Sequence, residues 1–250
     1  MKTIITTLFL LSFTATSVLA QQDEITTAEG TLSLTPIFHS TMVLGFKGKT
    51  IFVDPAVEAT KFDGFGNPDL ILITDIHGDH LNLDTLNGLN TENTTFLVPR
   101  AVEEKMEGVD AKEILVIANG EKTDWSGIGI EALPMYNLPE SEDSRHPKGR
   151  GNGYVLTFAD KRLYISGDTE DIPEMRALKD IDYAFICMNL PYTMDINQAA
   201  DAVLEFEPKV VYPFHYRGAE GKFSDVNAFK ERVNAGDPSI EVRIRDWYAN

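Results

Sequence analysis

The residues best suited to chemistry cluster between positions 75 and 80, where the chain reads DIHGDH. Asp75, His77, Asp79 and His80 come one threonine after the apolar run LILI, residues 70–73. An apolar run that breaks into Asp, Gly and Asn reads as a buried strand entering a loop. Strand packing gains nothing from four such groups in one turn, because gathering carboxylates and imidazoles costs hydration. A bound cation would offset that cost. Imidazole together with carboxylate suits Zn, Fe or Mn better than Ca or Mg, and Gly78 lets the turn tighten. Solvated loop acids beside a packed histidine are the plain alternative for this hexapeptide.

A turn of this kind needs a frame, and the rest of the chain reads as one. Strand-like runs dominate the first part: LSLTPIF, MVLGF and KTIFVD, with FKGK (46–49) as a hairpin turn. After the run that precedes DIHGDH come a helix near 84–89, a strand at TTFLVP, a helix near 101–107, and strands at EILVIA and GIGIEALPM. A long loop, 136–153, leads to strands YVLTF and RLYIS, a helix near 172–178 and strand DYAFICM. An amphipathic helix over 197–205, strand KVVYPF, a helix over 224–233 and strand EVRIRD finish the chain. The polar stretch 21–30 reads as a loose tail. Strands alternate with helices after a meander in both halves. An α/β fold with two mixed sheets covered by outer helices fits this pattern, as one domain of two similar halves over 21–250.

Further ligand types recur at predicted strand ends. His146 lies in the long loop, Asp168 in ISGDT (165–169) and His215 in YPFHY (212–216). With these residues the chain resembles the metallo-β-lactamase superfamily, whose signature HxHxDH sits on a loop after a strand. The resemblance narrows to the branch of ascorbate-6-phosphate lactonase-like proteins through His39-Ser40 and Val53-Asp54-Pro55. It implies a four-layer αββα sandwich with a metal site at one edge of the two sheets. It also implies two divalent ions, Zn, Mn or Fe. One would take Asp75, His77 and His146, the other Asp79, His80 and His215, with Asp168 bridging. The departure from the signature is Asp75, where the first histidine is expected. Its extra oxygen shifts the preference from tetrahedral zinc toward Mn or Fe.

The resemblance implies hydrolysis by a metal-bridging hydroxide, with Asp79 as the catalytic group that accepts or returns a proton. An ester or lactone bond of a small molecule is the expected target. A phosphodiester is the alternative, and a non-catalytic metal-binding relative is the contrasting class. Arg150 and Tyr192 are candidate substrate-binding groups, and His39 a group that orients a ligand from behind. The island Arg145, Lys148, Arg150 also reads as a solvated loop balancing the nearby ESED, and Glu170 and Asp171 as caps for the helix that follows.

The remaining constraints come from composition. Residues 1–20 carry one lysine, an apolar centre and a small-residue end at Ala20, the layout of a cleaved signal peptide. The expectation is a periplasmic or secreted protein without stable membrane insertion. Losing that segment removes one lysine and no acid, so a net charge of −17 becomes −18. Such a balance disfavours nucleic acid and anionic membrane surfaces as partners and leaves a small-molecule substrate, with the oligomeric state open. The single cysteine, Cys187, lies in YAFICM and reads as an inert buried thiol.

Overall fold

The computed structural model describes residues 22–249. The predicted signal peptide lies outside the described residues. Two seven-stranded mixed sheets face one another. The first runs in chain order through β1 (Asp23–Thr27), β2 (Gly30–Phe38), β3 (Thr41–Phe46), β4 (Lys49–Val53), β5 (Leu70–Leu72), β6 (Thr95–Val98) and β7 (Glu113–Val116). The second comprises β8 (Lys122–Trp125), β9 (Ile128–Met135), β10 (Gly151–Phe158), β11 (Lys161–Ile165), β12 (Tyr183–Cys187), β13 (Val210–Phe214) and β14 (Glu241–Val242). Each sheet begins as an antiparallel meander and continues as parallel strands from β4 and from β11. The parallel strands all point their C-terminal ends at one edge, where loops are free to carry side chains.

Helices cover the outer faces. α1 (Leu83–Gly88) and α2 (Arg100–Glu103) close over Phe52, Ile71, Phe96 and Val98 on the first sheet. α3 (Pro173–Arg176), α4 (Ile196–Phe206) and α5 (Val226–Gly236) accompany the second sheet, and Phe206 of α4 meets Tyr164 edge-on at 6.2 Å. A capping box starts α4: the Asp195 carboxylate accepts the backbone N–H of Gln198, and the Gln198 side chain accepts that of Asp195. Between the sheets, Leu44, Ile51, Leu70, Leu156 and Leu163 are fully buried. Each such side chain contributes roughly 1.5–3 kcal/mol by leaving water. Phe46 and Phe158 meet edge-on across the two layers at 5.3 Å. No helix of the described residues is long and apolar enough to cross a membrane.

Several local expectations are corrected. Residues 23–27 form the edge strand β1 and not a loose tail. Its two inward side chains, Ile25 and Thr27, are too few to signal a strand in sequence. Arg245 and the Tyr212 hydroxyl anchor it by donating to the Asp23 carboxylate at 2.6 and 3.0 Å. β8 has no predicted counterpart, and the last predicted strand shrinks to two residues. Glu170 and Asp171 do not cap α3, whose N-cap Ile172 receives no side-chain bond. Asp171 instead pairs with Arg176, and Glu170 accepts from Asn137.

Candidate metal centre

The edge where the parallel strands end carries the chemistry. β4 delivers Asp54, β5 leads into Asp75–His80, β11 into Asp168, and β13 into His215. Three non-glycine residues there, His39, Asp54 and His215, have left-handed backbone with φ of 55, 44 and 47°. Such conformations cost about 1–3 kcal/mol each and persist where surrounding contacts hold them. Gly167 (φ 62°) turns the chain into Asp168, and a Cβ on it would lie 2.8 Å from Met135 Sδ and 3.1 Å from Asn152 O. Only glycine fits that turn.

The sequence-predicted ligands converge as two groups joined by one carboxylate. The donor atoms of Asp75, His77 and His146 lie within 4.8 Å of one another, as do those of His80, Asp168 and His215. Asp168 stands between them: Oδ2 lies 3.3 Å from His146 Nε2 and 3.4 Å from His80 Nε2, while Oδ1 lies 3.3 Å from His215 Nε2. Asp79 reaches the second group, with Oδ2 3.4 Å from His215 Nε2. Its side chain is 42 % exposed, which puts it at the mouth, whereas Asp168, His80, His146 and His215 are buried. Tyr192 lies under the guanidinium of Arg145, 4.2 Å from its ring centre, and its carbonyl accepts from Asn137.

Hydrogen bonds fix which ring nitrogens face inward. The Asp54 carboxylate accepts from the Thr74 N–H (2.8 Å), the Thr74 hydroxyl (2.7 Å) and His80 Nδ1 (2.8 Å). A carboxylate only accepts, so His80 keeps a proton on Nδ1 and turns Nε2 to the centre, where a bound cation would take the place of any second proton. Asn137 performs the same task for His146. Its amide NH2 donates to Glu170 and to the Tyr192 carbonyl, so its oxygen faces His146 Nδ1 at 3.1 Å. Asn137 was not among the sequence-predicted site residues, and its position at the head of a long loop carries no signal. Asp54 was legible only as part of the Asp-Pro pair.

These residues fit divalent cations. His77 Nδ1, His146 Nε2 and Asp168 Oδ1 are buried and have no hydrogen-bond partner. His77 Nδ1 sits 2.5 Å from Asp75 Oδ2 without being aimed along a hydrogen bond. His80 Nε2 and His215 Nε2 face each other at 3.2 Å. Orphaned donors of imidazole and carboxylate converging in a buried site are what a cation would satisfy. The field agrees: burial opposes a charge on His80, yet Asp168 and Asp54 outweigh it and raise its pKa well above the ordinary value. Burial likewise opposes ionisation of Asp168, and His215, His80 and His146 nonetheless hold its carboxyl far below the usual range. Burial lowers the His39 pKa to about 4 despite its hydrogen bond with Asp79.

The basic loop residues and the cysteine make contacts of their own. Arg150 is bound to the Asp75 carboxylate. Lys148 pairs with Glu174 at 2.9 Å and Glu140 at 3.6 Å. Cys187 is fully buried with its thiol 3.4 Å from the Thr169 carbonyl.

Residues 33–215 match the family model of the beta-lactamase superfamily domain. The chain belongs to the metallo-β-lactamase superfamily. A UPF0173 metal-dependent hydrolase of Pyrococcus abyssi is 27% identical over 210 residues, covering 79% of this chain and 89% of that one. A solved structure from Parabacteroides distasonis, described as a candidate metal-dependent hydrolase, shares 38% identity at a TM-score of 0.79. It covers 90% of this chain and 98% of its own. Igni18, a metallo hydrolase from Ignicoccus hospitalis, has a TM-score of 0.71 at 24% identity over 86% of this chain and 94% of its own, which speaks to the fold alone. The metallo-β-lactamase fold thus accounts for the two facing sheets and for the position of the centre at their common edge.

Proposed function

We propose that the chain is a metal-dependent hydrolase that cleaves an ester or lactone bond of a small molecule. The observation that carries this reading is the set of inward-facing, unpartnered ligand atoms on His77, His146 and Asp168. Asp75, His77 and His146 would hold one ion, Asp79, His80 and His215 the other, with Asp168 between them. Bound divalent ions would supply Lewis-acid charge and lower the pKa of water at the centre. The protein's own part is orientation and proton handling. Asp54 and Asn137 keep His80 and His146 in the tautomers that ligate. Asp79, half-exposed at the mouth, takes up a proton as the nucleophile forms and returns it to the leaving group. Tyr192, stacked under Arg145 and joined through its carbonyl to Asn137 behind His146, contacts the substrate.

The pairing of two of the three cations in the basic island favours carbon over phosphorus as the reacting atom. Arg150 and Lys148 are already neutralised by Asp75 and by Glu174 and Glu140, so neither is free to clamp a phosphodiester. The reading includes export, carried by residues 1–20; a mature N-terminus at Gln21 in the exported fraction checks it.

The decisive experiment takes the mature chain, purified without chelator, through elemental analysis and a panel of p-nitrophenyl acetate, simple lactones and bis(p-nitrophenyl) phosphate. Chelator-sensitive turnover of the esters or lactones that disappears in Asp168→Asn supports the proposal. Turnover of the phosphodiester alone transfers the reading to that class. Bound metal without any turnover makes the chain a binder.

A further inference from the structure

Behind Asp79 runs a chain of hydrogen bonds whose directions follow from donor chemistry. The backbone N–H of Arg217 donates to the Tyr248 hydroxyl at 3.0 Å. That hydroxyl lies 2.7 Å from His39 Nδ1, and Nε2 of the same ring lies 3.2 Å from Asp79 Oδ2. The carboxylate oxygen only accepts, so Nε2 of His39 carries the proton. On a neutral ring Nδ1 is then a lone pair that accepts from Tyr248, whose own oxygen already accepts from Arg217.

The geometry points to Tyr248 as a positioning residue: by donating to His39 Nδ1 it reinforces the tautomer that donates to Asp79, and so helps to aim Asp79 at the centre. This rests on the reading of Asp79 as a metal ligand. Asp79 has the most exposed side chain of the converging set, so it has most to gain from an orienting donor. The same chain assigns His39 away from coordination. His39, Asp79 and His215 also bring donor atoms within 4.8 Å of one another. A nitrogen that bears a proton toward Asp79 offers no lone pair to a cation.

A second observation is independent of the ring. The segment carrying Tyr248 also grips the His39 backbone, whose N–H donates to the Trp247 carbonyl at 3.2 Å; the His39 carbonyl is held separately, by the His215 N–H at 3.3 Å. Trp247 is fully buried against Phe185 and Phe214, which anchors the segment. The Tyr248 ring is held edge-on by Phe38, Tyr216 and Phe223 at 5.5, 4.9 and 4.9 Å. Removing the hydroxyl therefore leaves the packing in place.

The test uses the full mature chain with Zn2+ as probe, and two readouts. Long-range 1H–15N spectra of the zinc-free protein report the His39 tautomer. Chelator competition reports Zn2+ affinity, with circular dichroism confirming that each variant is folded. The wild type shows His39 as Nε2–H, and Tyr248→Phe mixes the tautomers and weakens Zn2+ binding. His39→Ala weakens it on the order of 10-fold or more, the scale of losing an orienting partner. In His39→Gln, whose amide still donates to Asp79 and has no tautomer to select, Zn2+ binding is largely retained and adding Tyr248→Phe changes nothing more. An unchanged tautomer in Tyr248→Phe, or equal losses from that change in the wild-type and His39→Gln backgrounds, overturns the inference. A wild type that takes up no Zn2+ overturns the metal centre instead, and the tautomer spectra still decide the role of Tyr248.

Discussion

Arg150 closes on the carboxylate of Asp75, with Nε and Nη2 each 3.2 Å from Oδ1 and Nη2 3.2 Å from Oδ2. Asp75 stands where the superfamily signature has its first histidine, so at this position of the proposed centre an anion with its own counter-charge replaces a neutral imidazole. Burial would raise the Asp75 pKa, but the His77, His80 and Arg150 neighbours together hold it below the ordinary value.

That pairing gives the first prediction. Arg150→Met leaves a fully buried carboxylate without its partner and destabilises the metal-free chain by about 3 kcal/mol, the low end for a broken buried pair because Arg150 is partly exposed. A bound cation replaces the lost charge. The gap in Tm between variant and wild type, large in chelator, therefore narrows when Zn2+ is present. An equal gap in both conditions would mean that Asp75 does not face a metal.

Asp54 is predicted to govern affinity without touching a metal. Asp54→Ala removes the acceptor that keeps the His80 proton on Nδ1, and also frees the Thr74 hydroxyl. Metal affinity falls on the order of 10–100-fold. Chelator competition against the wild type checks this, with Asp54→Asn expected to lie between the two because its amide oxygen still accepts.

The sheets are tied together beside the site by Tyr154, whose hydroxyl donates to the Ile73 carbonyl at 2.9 Å. Tyr154→Phe leaves that carbonyl short of a donor in a dry interior and costs about 1–2 kcal/mol. Urea unfolding should show a lower midpoint at an unchanged slope.

Cys187 gives a pH prediction. Burial pushes its thiol up to about 11, so the folded chain holds the proton more tightly than the unfolded chain does. The stability this contributes is present in full below about pH 9 and is lost as pH rises from about 9 toward 11, a change of roughly 3 kcal/mol at most. Cys187→Ala should flatten that part of the stability profile relative to wild type. In the native protein at pH 8 the thiol should resist a disulfide reagent that labels the unfolded chain within minutes.

Much of the centre was legible because ligand chemistry is local. Asp75, His77, Asp79 and His80 announce themselves by type and spacing after one apolar run, and Asp168 and His215 by following strands. Most of the strands were legible for a related reason: apolar runs long enough to be buried on both faces stand out from the loops between them. β1 escaped because an edge strand with two inward residues reads as polar chain, and its anchor on Arg245 lies 222 positions away.

The sequence by itself determined which side chains are available to a cation and that strand ends would present them. Tertiary structure alone decided how each is aimed. His80 takes its tautomer from Asp54, 26 positions back; Asp75 takes its counter-charge from Arg150, 75 positions on; His39 meets Tyr248 across 209. Hydrogen-bond direction depends on which atoms meet in space, and no periodicity along the chain encodes meetings between loops at the ends of two separate sheets.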